Sequence, residues 1–227
     1  MENMETHHEN DNILGYNIND YLSSSGNNGI VRLLPTSEKI PIIFDHLLQV
    51  GTANDINDFF TTFAEHTSLE FVRYMVNNGA NPRHWGYSAF MEACKNCNYE
   101  RIVYFINECN IDVNVSGSYA LVEVMSNIYF NMDDSESDYI DNNLCIDCLK
   151  FLLDSGCVIT DACIKECIRY DRSIEPMRLL IQYGVDINRI CIIFCKYRVK
   201  RTRWLKNIIY LNNFNCDFKQ AFDKINV

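Results

Sequence analysis

The chain has 227 residues, a formal net charge of -10, 48% apolar and 22% charged residues, and only nine glycines and four prolines. Those proportions exclude a disordered chain, and the acidic balance excludes a protein whose whole surface tracks nucleic acid or an anionic membrane, since phosphate binding needs a Lys/Arg excess on at least one face. No apolar run reaches the ~18 residues of a spanning helix, and Met1–Tyr16 has no basic segment leading into an apolar core, so a soluble, unexported, cytoplasmic protein is expected.

Taken in chain order, residues 1–28 are polar, run into SSSGNNG at Ser23–Gly29, and read as a flexible N-terminal arm. Residues 29–227 read as a single array. Its first element is IPIIFDHLLQVG, an apolar helix ending at Gly51. Four later segments end in the same way: VRYMVNNGAN at Gly79, IVYFINECNIDVN at Asn110, CLKFLLDSGCVI at Gly156 and PMRLLIQYGVDIN at Gly184. A sixth, NIIYLNNFNCDF, ends at Asn215. In each, apolar residues at helical spacing run into Gly or Asn, the residues that accept a left-handed conformation at a helix C-terminus. The two Asn segments carry one extra residue, Cys109 or Phe214, which suggests one cap in two versions.

The cap-to-cap spacings are 28, 31, 46, 28 and 31, and each interval contains an earlier helical stretch: INDFFTTFAEH, SAFMEACKN, YALVEVMSNIYF, DACIKECIRY and RICIIFCKY. The unit is a helix hairpin. One hairpin cannot bury its apolar face alone, so neighbours must stack.

These units resemble ankyrin repeats, whose period is about 33 with a Thr-Pro-Leu-His-x-Ala signature. GYSAFMEACKNCNYERIVYFINECNIDVN, Gly86–Asn114, is the best match. Ser88 takes the Thr place, Ala89 the Pro, Phe90 the Leu and Met91 the His, and Ala93 with Cys94 forms the small pair. GVDIN at Gly184–Asn188 matches the family's closing ADVN. No unit has the complete tetrad. The resemblance spans roughly Lys39–Phe218 and implies an all-α, ankyrin-like helical-hairpin solenoid of five to six degenerate, partly shortened repeats. It further implies a non-enzymatic, monomeric adaptor with a protein partner and no cofactor. The degeneracy and the Asn/Ile bias are similar in style to ankyrin proteins of large DNA viruses that infect protists.

The distance from cap to next helix is nine residues after Gly79 and Asn110 but five after Gly156 and Gly184. Projecting hairpin fingers are therefore expected only at Ala80–Tyr87 and Ile111–Ser118. The first, ANPRHWGY, concentrates residue types common in interface hot spots. Arg83, His84, Trp85 and Tyr87, with Ser116 and Ser118 on the second finger, are the candidate partner-binding residues. Packing of Trp85 over a neighbouring element is the competing reading.

The 46-residue interval holds an acidic insertion, residues 131–143, read as a solvated loop in which Ser135 and Ser137 are candidate phosphorylation sites. The connection two units later is basic: Lys196, Arg198, Lys200, Arg201, Arg203 and Lys206 place six of the chain's 20 Lys and Arg in eleven residues. It reads as a solvated connection, a patch for an acidic protein or nucleic acid, or a nuclear-localisation signal. A nuclear or nucleic-acid-associated factor is thus the alternative function. Residues 218–227 read as a C-terminal cap.

Eleven cysteines without an export signal favour free thiols over disulfides. Cys94–Cys97 and Cys145–Cys148 form two CxxC pairs of the kind that hold zinc. Cys94, Cys167 and Cys195, however, fall at the small-residue position of the repeat, where cysteine serves as a small hydrophobe, and the two pairs sit on different elements. No metal site is expected. No Gly-rich phosphate loop, metal-ligand helix or positioned triad points to an enzyme.

Overall fold

The structure, a computed structural model, describes residues 12–13, 16–17, 39–130, 142–169 and 175–196. It divides into two compact units, Met1–Ala89 and Phe90–Val227. Apart from a two-residue antiparallel pairing of β1 (Asn12–Ile13) with β2 (Tyr16–Asn17), the described secondary structure is helical.

The first unit contains α1 (Ile40–Val50), α2 (Ala53–Phe63), a 3-10 turn (Ala64–His66) and α3 (Leu69–Asn77). Helix α2 starts in a capping box: Thr52 Oγ1 accepts from the Asp55 backbone N–H while Asp55 Oδ2 accepts from that of Thr52 at 2.7 Å, satisfying two amides that have no partner inside the helix. Ser68 caps α3 in the same sense. The apolar faces meet in an aromatic core, where Phe44 is fully buried and edges against Phe71 and Tyr74. The Tyr74 hydroxyl ties α3 to α1 by donating to Asp45 at 2.8 Å.

Helix α4 (His84–Lys95) carries the boundary between the units. The second unit continues with α5 (Tyr99–Asn107), α6 (Val115–Phe130), α7 (Asn142–Asp154), α8 (Asp161–Arg169), α9 (Glu175–Gln182) and α10 (Ile187–Lys196). Here α6 packs on α7 and α8, α7 on α5, and α8 on α9 and α10. Phe105, Ile102, Leu121, Met125, Leu149 and Leu152 are its largest fully enclosed aliphatic and aromatic side chains after Phe90. Within this unit successive helix-turn-helix pairs pack on one another, as stacked repeats do.

The caps follow the expected chemistry at four positions. Gly79, Gly156 and Gly184 have φ of 102°, 86° and 87°, and Asn110 has 51°. After each glycine the next amide reaches back five residues, as in Ala80 to the Met75 carbonyl and Val185 to that of Leu180. After Asn110, with its extra residue, Ile111 reaches back six, to Phe105. These bonds satisfy carbonyls left open at a helix end. Cys97 takes the same left-handed place after α4, at φ 48°, with Asn98 bonding back to Ala93.

Gly51 differs from expectation: its backbone is extended, at φ -81° and ψ 162°. Glycine is needed there for a different reason, because a Cβ would lie 2.6 Å from the Leu47 carbonyl oxygen. The sixth cap at Asn215, residues 131–141 of the acidic insertion and the terminal cap 218–227 lie outside the described residues, whereas the insertion's last two residues, Asn142 and Asn143, are not loop but the start of α7.

Candidate functional site

The stretches read as hairpin fingers coil instead into compact turns. Trp85, Gly86 and Tyr87 have φ of 48°, 64° and 68°, and Ser116, Gly117 and Ser118 have 53°, 68° and 65°. Three successive left-handed residues wind the chain directly into the following helix, so no strand pair forms among the described residues of either stretch. The second turn is largely internal, with Ile111, Val113 and Val115 buried.

Helix α2 holds the first turn from both ends. Asn57 Oδ1 accepts from the Asn81 backbone N–H at 2.7 Å, and Asn81 Oδ1 in turn accepts from that of Arg83 at 3.0 Å. One residue along, Asp58 Oδ1 accepts from Trp85 Nε1 at 2.7 Å and lies 2.9 Å from His84 Nε2. A carboxylate oxygen can only accept, so the imidazole presents its N–H there. The two rings meet edge to face, centroids 5.8 Å apart.

The result is an anchored but outward-facing tryptophan. Trp85 remains 64% exposed, its edge fixed by Asp58. Beside it, a cavity of about 320 Å³ is lined by Asp58, Thr61, Thr62, Trp85 and Ser88. Arg83 and Ser116 are exposed, while His84 and Tyr87 are half-buried. Ser118 is not at the surface: it is 2% exposed and donates to Asn114 Oδ1 at 2.9 Å. Its inward side chain removes it from a contact surface and makes it part of a brace, since Asn114 also accepts from the Val158 backbone and donates to the Gly156 carbonyl.

Asn57 and Asp58 were not legible as site residues, because their partners lie 24 to 27 positions away. A second set, Glu92, Glu123 and Glu166, lies on α4, α6 and α8. Burial pushes the Glu123 carboxyl above its usual range; Lys95 opposes this, and Glu92 and Glu166 reinforce it. Glu166, itself buried, accepts from Ser126 Oγ at 2.9 Å.

Where the short connections follow Gly156 and Gly184, a depression of about 460 Å³ opens between Cys157, Val158, Tyr183 and Arg189. The Arg189 guanidinium is already held by Asp161, at 2.6 Å, and by the Ile159 carbonyl.

Among the described cysteines, Cys94, Cys97, Cys145, Cys148, Cys157, Cys163, Cys167 and Cys191 are buried and Cys109 is half-buried, and the two CxxC motifs meet. Cys97 is within hydrogen-bonding reach of both Cys145 and Cys148, and the Cys148 thiol donates to the Cys97 carbonyl at 3.3 Å. Contact with Cys145 lowers the Cys97 pKa, but contact with Cys148 and burial outweigh it, leaving a value of about 12. Burial pushes Cys94 well up and Cys157 to about 11. These thiols are protonated at neutral pH and poor nucleophiles. Among the described residues no group of three or more His, Cys, Asp or Glu is placed to hold a metal ion. The described cysteines from Cys94 to Cys167 form no disulfide.

Of the basic run only Lys196 is described, exposed at the end of α10; Arg198, Lys200, Arg201, Arg203 and Lys206 lie outside the described residues. No described helix is long and apolar enough to cross a membrane.

Repeated helix-turn-helix units with left-handed caps define an all-α, ankyrin-like helical repeat fold. The ankyrin-repeat family model matches residues 85–115, the stretch that begins at the anchored tryptophan and runs through α4, α5 and the following cap. No curated protein and no solved structure matches the chain.

Proposed function

We propose that the chain is a non-enzymatic protein-protein interaction module that contacts its partner through the turn at Arg83–Tyr87, with Trp85 at the centre. An ankyrin repeat suggests such a module, and the observation that carries the assignment to this turn is the state of Trp85. A large ring left 64% exposed while its N–H is held by Asp58 has little side-chain entropy left to lose on binding, which is the condition under which an aromatic contributes most at an interface. The degenerate repeats and the Asn/Ile bias support a viral protein acting on a host protein in the cytoplasm. Affinity purification of the tagged chain from its native cell, followed by mass spectrometry, tests the reading. Proteins captured by the wild type should be depleted with folded Trp85→Ala, and equal capture by both would refute the role of the turn.

A further inference from the structure

We propose that the cavity beside Trp85 receives a cationic side chain, lysine or arginine, from the protein partner; this rests on the reading of Trp85 as a contact residue and names the chemistry of what it contacts. The polar groups lining the cavity are acceptors. Asp58 Oδ1 is occupied by Trp85 and His84, whereas Oδ2 accepts no hydrogen bond among the described residues. The hydroxyl hydrogens of Thr61 and Thr62 are spent on the Asn57 and Asp58 carbonyls, each at 2.9 Å. Their oxygens therefore offer lone pairs and no proton. The Ser88 hydroxyl turns to suit its neighbour.

Trp85 supplies the remaining wall. Its N–H is already given to Asp58, so an anion finds no donor there, whereas a cation placed over the indole is attracted by the ring. A neutral apolar side chain would cover Oδ2 and strip its water without replacing the lost bonds. An ammonium or guanidinium group satisfies both features at once, through a charge-assisted hydrogen bond to Oδ2 and cation–π contact with the indole. The cavity volume of about 320 Å³ is at the lower end of small-ligand sites, suited to the end of one long side chain.

Nuclear magnetic resonance of the full chain tests this directly. The indole N–H signal of Trp85, assigned by its loss in Trp85→Phe, is followed while N-acetyl-arginine amide, N-acetyl-lysine amide or the uncharged N-acetyl-citrulline amide is added. A saturable shift with at least one of the two cationic amides, with the citrulline compound at least tenfold weaker, is expected. Asp58→Asn keeps an acceptor for Trp85 and His84 but removes the charge, and should weaken the cationic amide at least tenfold. Asp147→Asn, an equal change in net charge elsewhere, should leave it unchanged. Equal shifts from arginine and citrulline compounds, or an Asp58→Asn protein that binds like wild type, would overturn the cation site. Partner capture separates the two readings: loss with Trp85→Ala but not with Asp58→Asn sinks the cation site and leaves the contact role of Trp85 standing. Capture unchanged in both variants sinks the contact role itself.

Discussion

The indole N–H of Trp85 donates to Asp58 Oδ1 at 2.7 Å across 27 positions of sequence, and His84 Nε2 shares that oxygen at 2.9 Å. One carboxylate oxygen therefore fixes the left-handed turn that opens α4 onto α2. Asp58→Ala leaves both donors without it and should lower stability by about 1–2 kcal/mol, read as a shift in the urea midpoint. Asp58→Asn retains an acceptor and should cost less than half as much.

The left-handed positions give opposite outcomes according to the residue they hold. Gly79 has φ +102° with open space where a Cβ would go, so Gly79→Ala is penalised by conformation alone, by about 1 kcal/mol or more. Ser116, exposed at φ 53°, is the converse, and Ser116→Gly should gain up to about 1 kcal/mol. Gly51→Ala should destabilise by collision with the Leu47 carbonyl. Thermal unfolding of the three variants checks all of these.

The buried thiols make the fold sensitive to alkali. A thiol whose folded pKa stands above its unfolded value of 9.0 favours the native state below pH 9, and that contribution fades as pH rises through the folded value. For Cys97, with a folded value of about 12, the loss runs from pH 9 to about 12. Denaturant midpoints should fall over that range, and Cys97→Ala should flatten the slope. At pH 8 the native protein should leave Cys94, Cys97 and Cys157 unalkylated by iodoacetamide, and unfolding should expose them.

Glu123 is raised above its usual range by burial, with Lys95 in opposition and Glu92 and Glu166 adding to the shift. Its ionised form is therefore disfavoured in the folded chain relative to the unfolded one. Glu123→Gln should raise Tm at pH 7, and the gain should disappear near pH 3, where the carboxyl is protonated in both states. A variant equally stabilised at both values would assign the effect to packing.

What the sequence disclosed was mostly local. A helix cap is written in one or two residues, so the left-handed turns at Gly79, Asn110, Gly156 and Gly184 were legible, including the longer Asn version. The best-matching unit, Gly86–Asn114, likewise lies inside the residues 85–115 that match the ankyrin repeat. Gly51 misled because a glycine after a helix serves close backbone approach as well as positive φ. The supposed fingers misled more deeply: Trp85, Tyr87, Ser116 and Ser118 adopt a conformation that their side chains disfavour, and composition gives no sign of that. Nor does any local signal connect Asp58 to Trp85, or Cys97 to Cys145 and Cys148. Those contacts exist only once helices distant in sequence are packed together.

The most direct measurement of the central claim is a calorimetric titration of the captured partner, once purified, against wild type and Trp85→Ala, with matched circular dichroism to show equal folding. Binding at least tenfold weaker is expected for the variant, a loss of about 1.4 kcal/mol or more. Equal affinity for both proteins would contradict it.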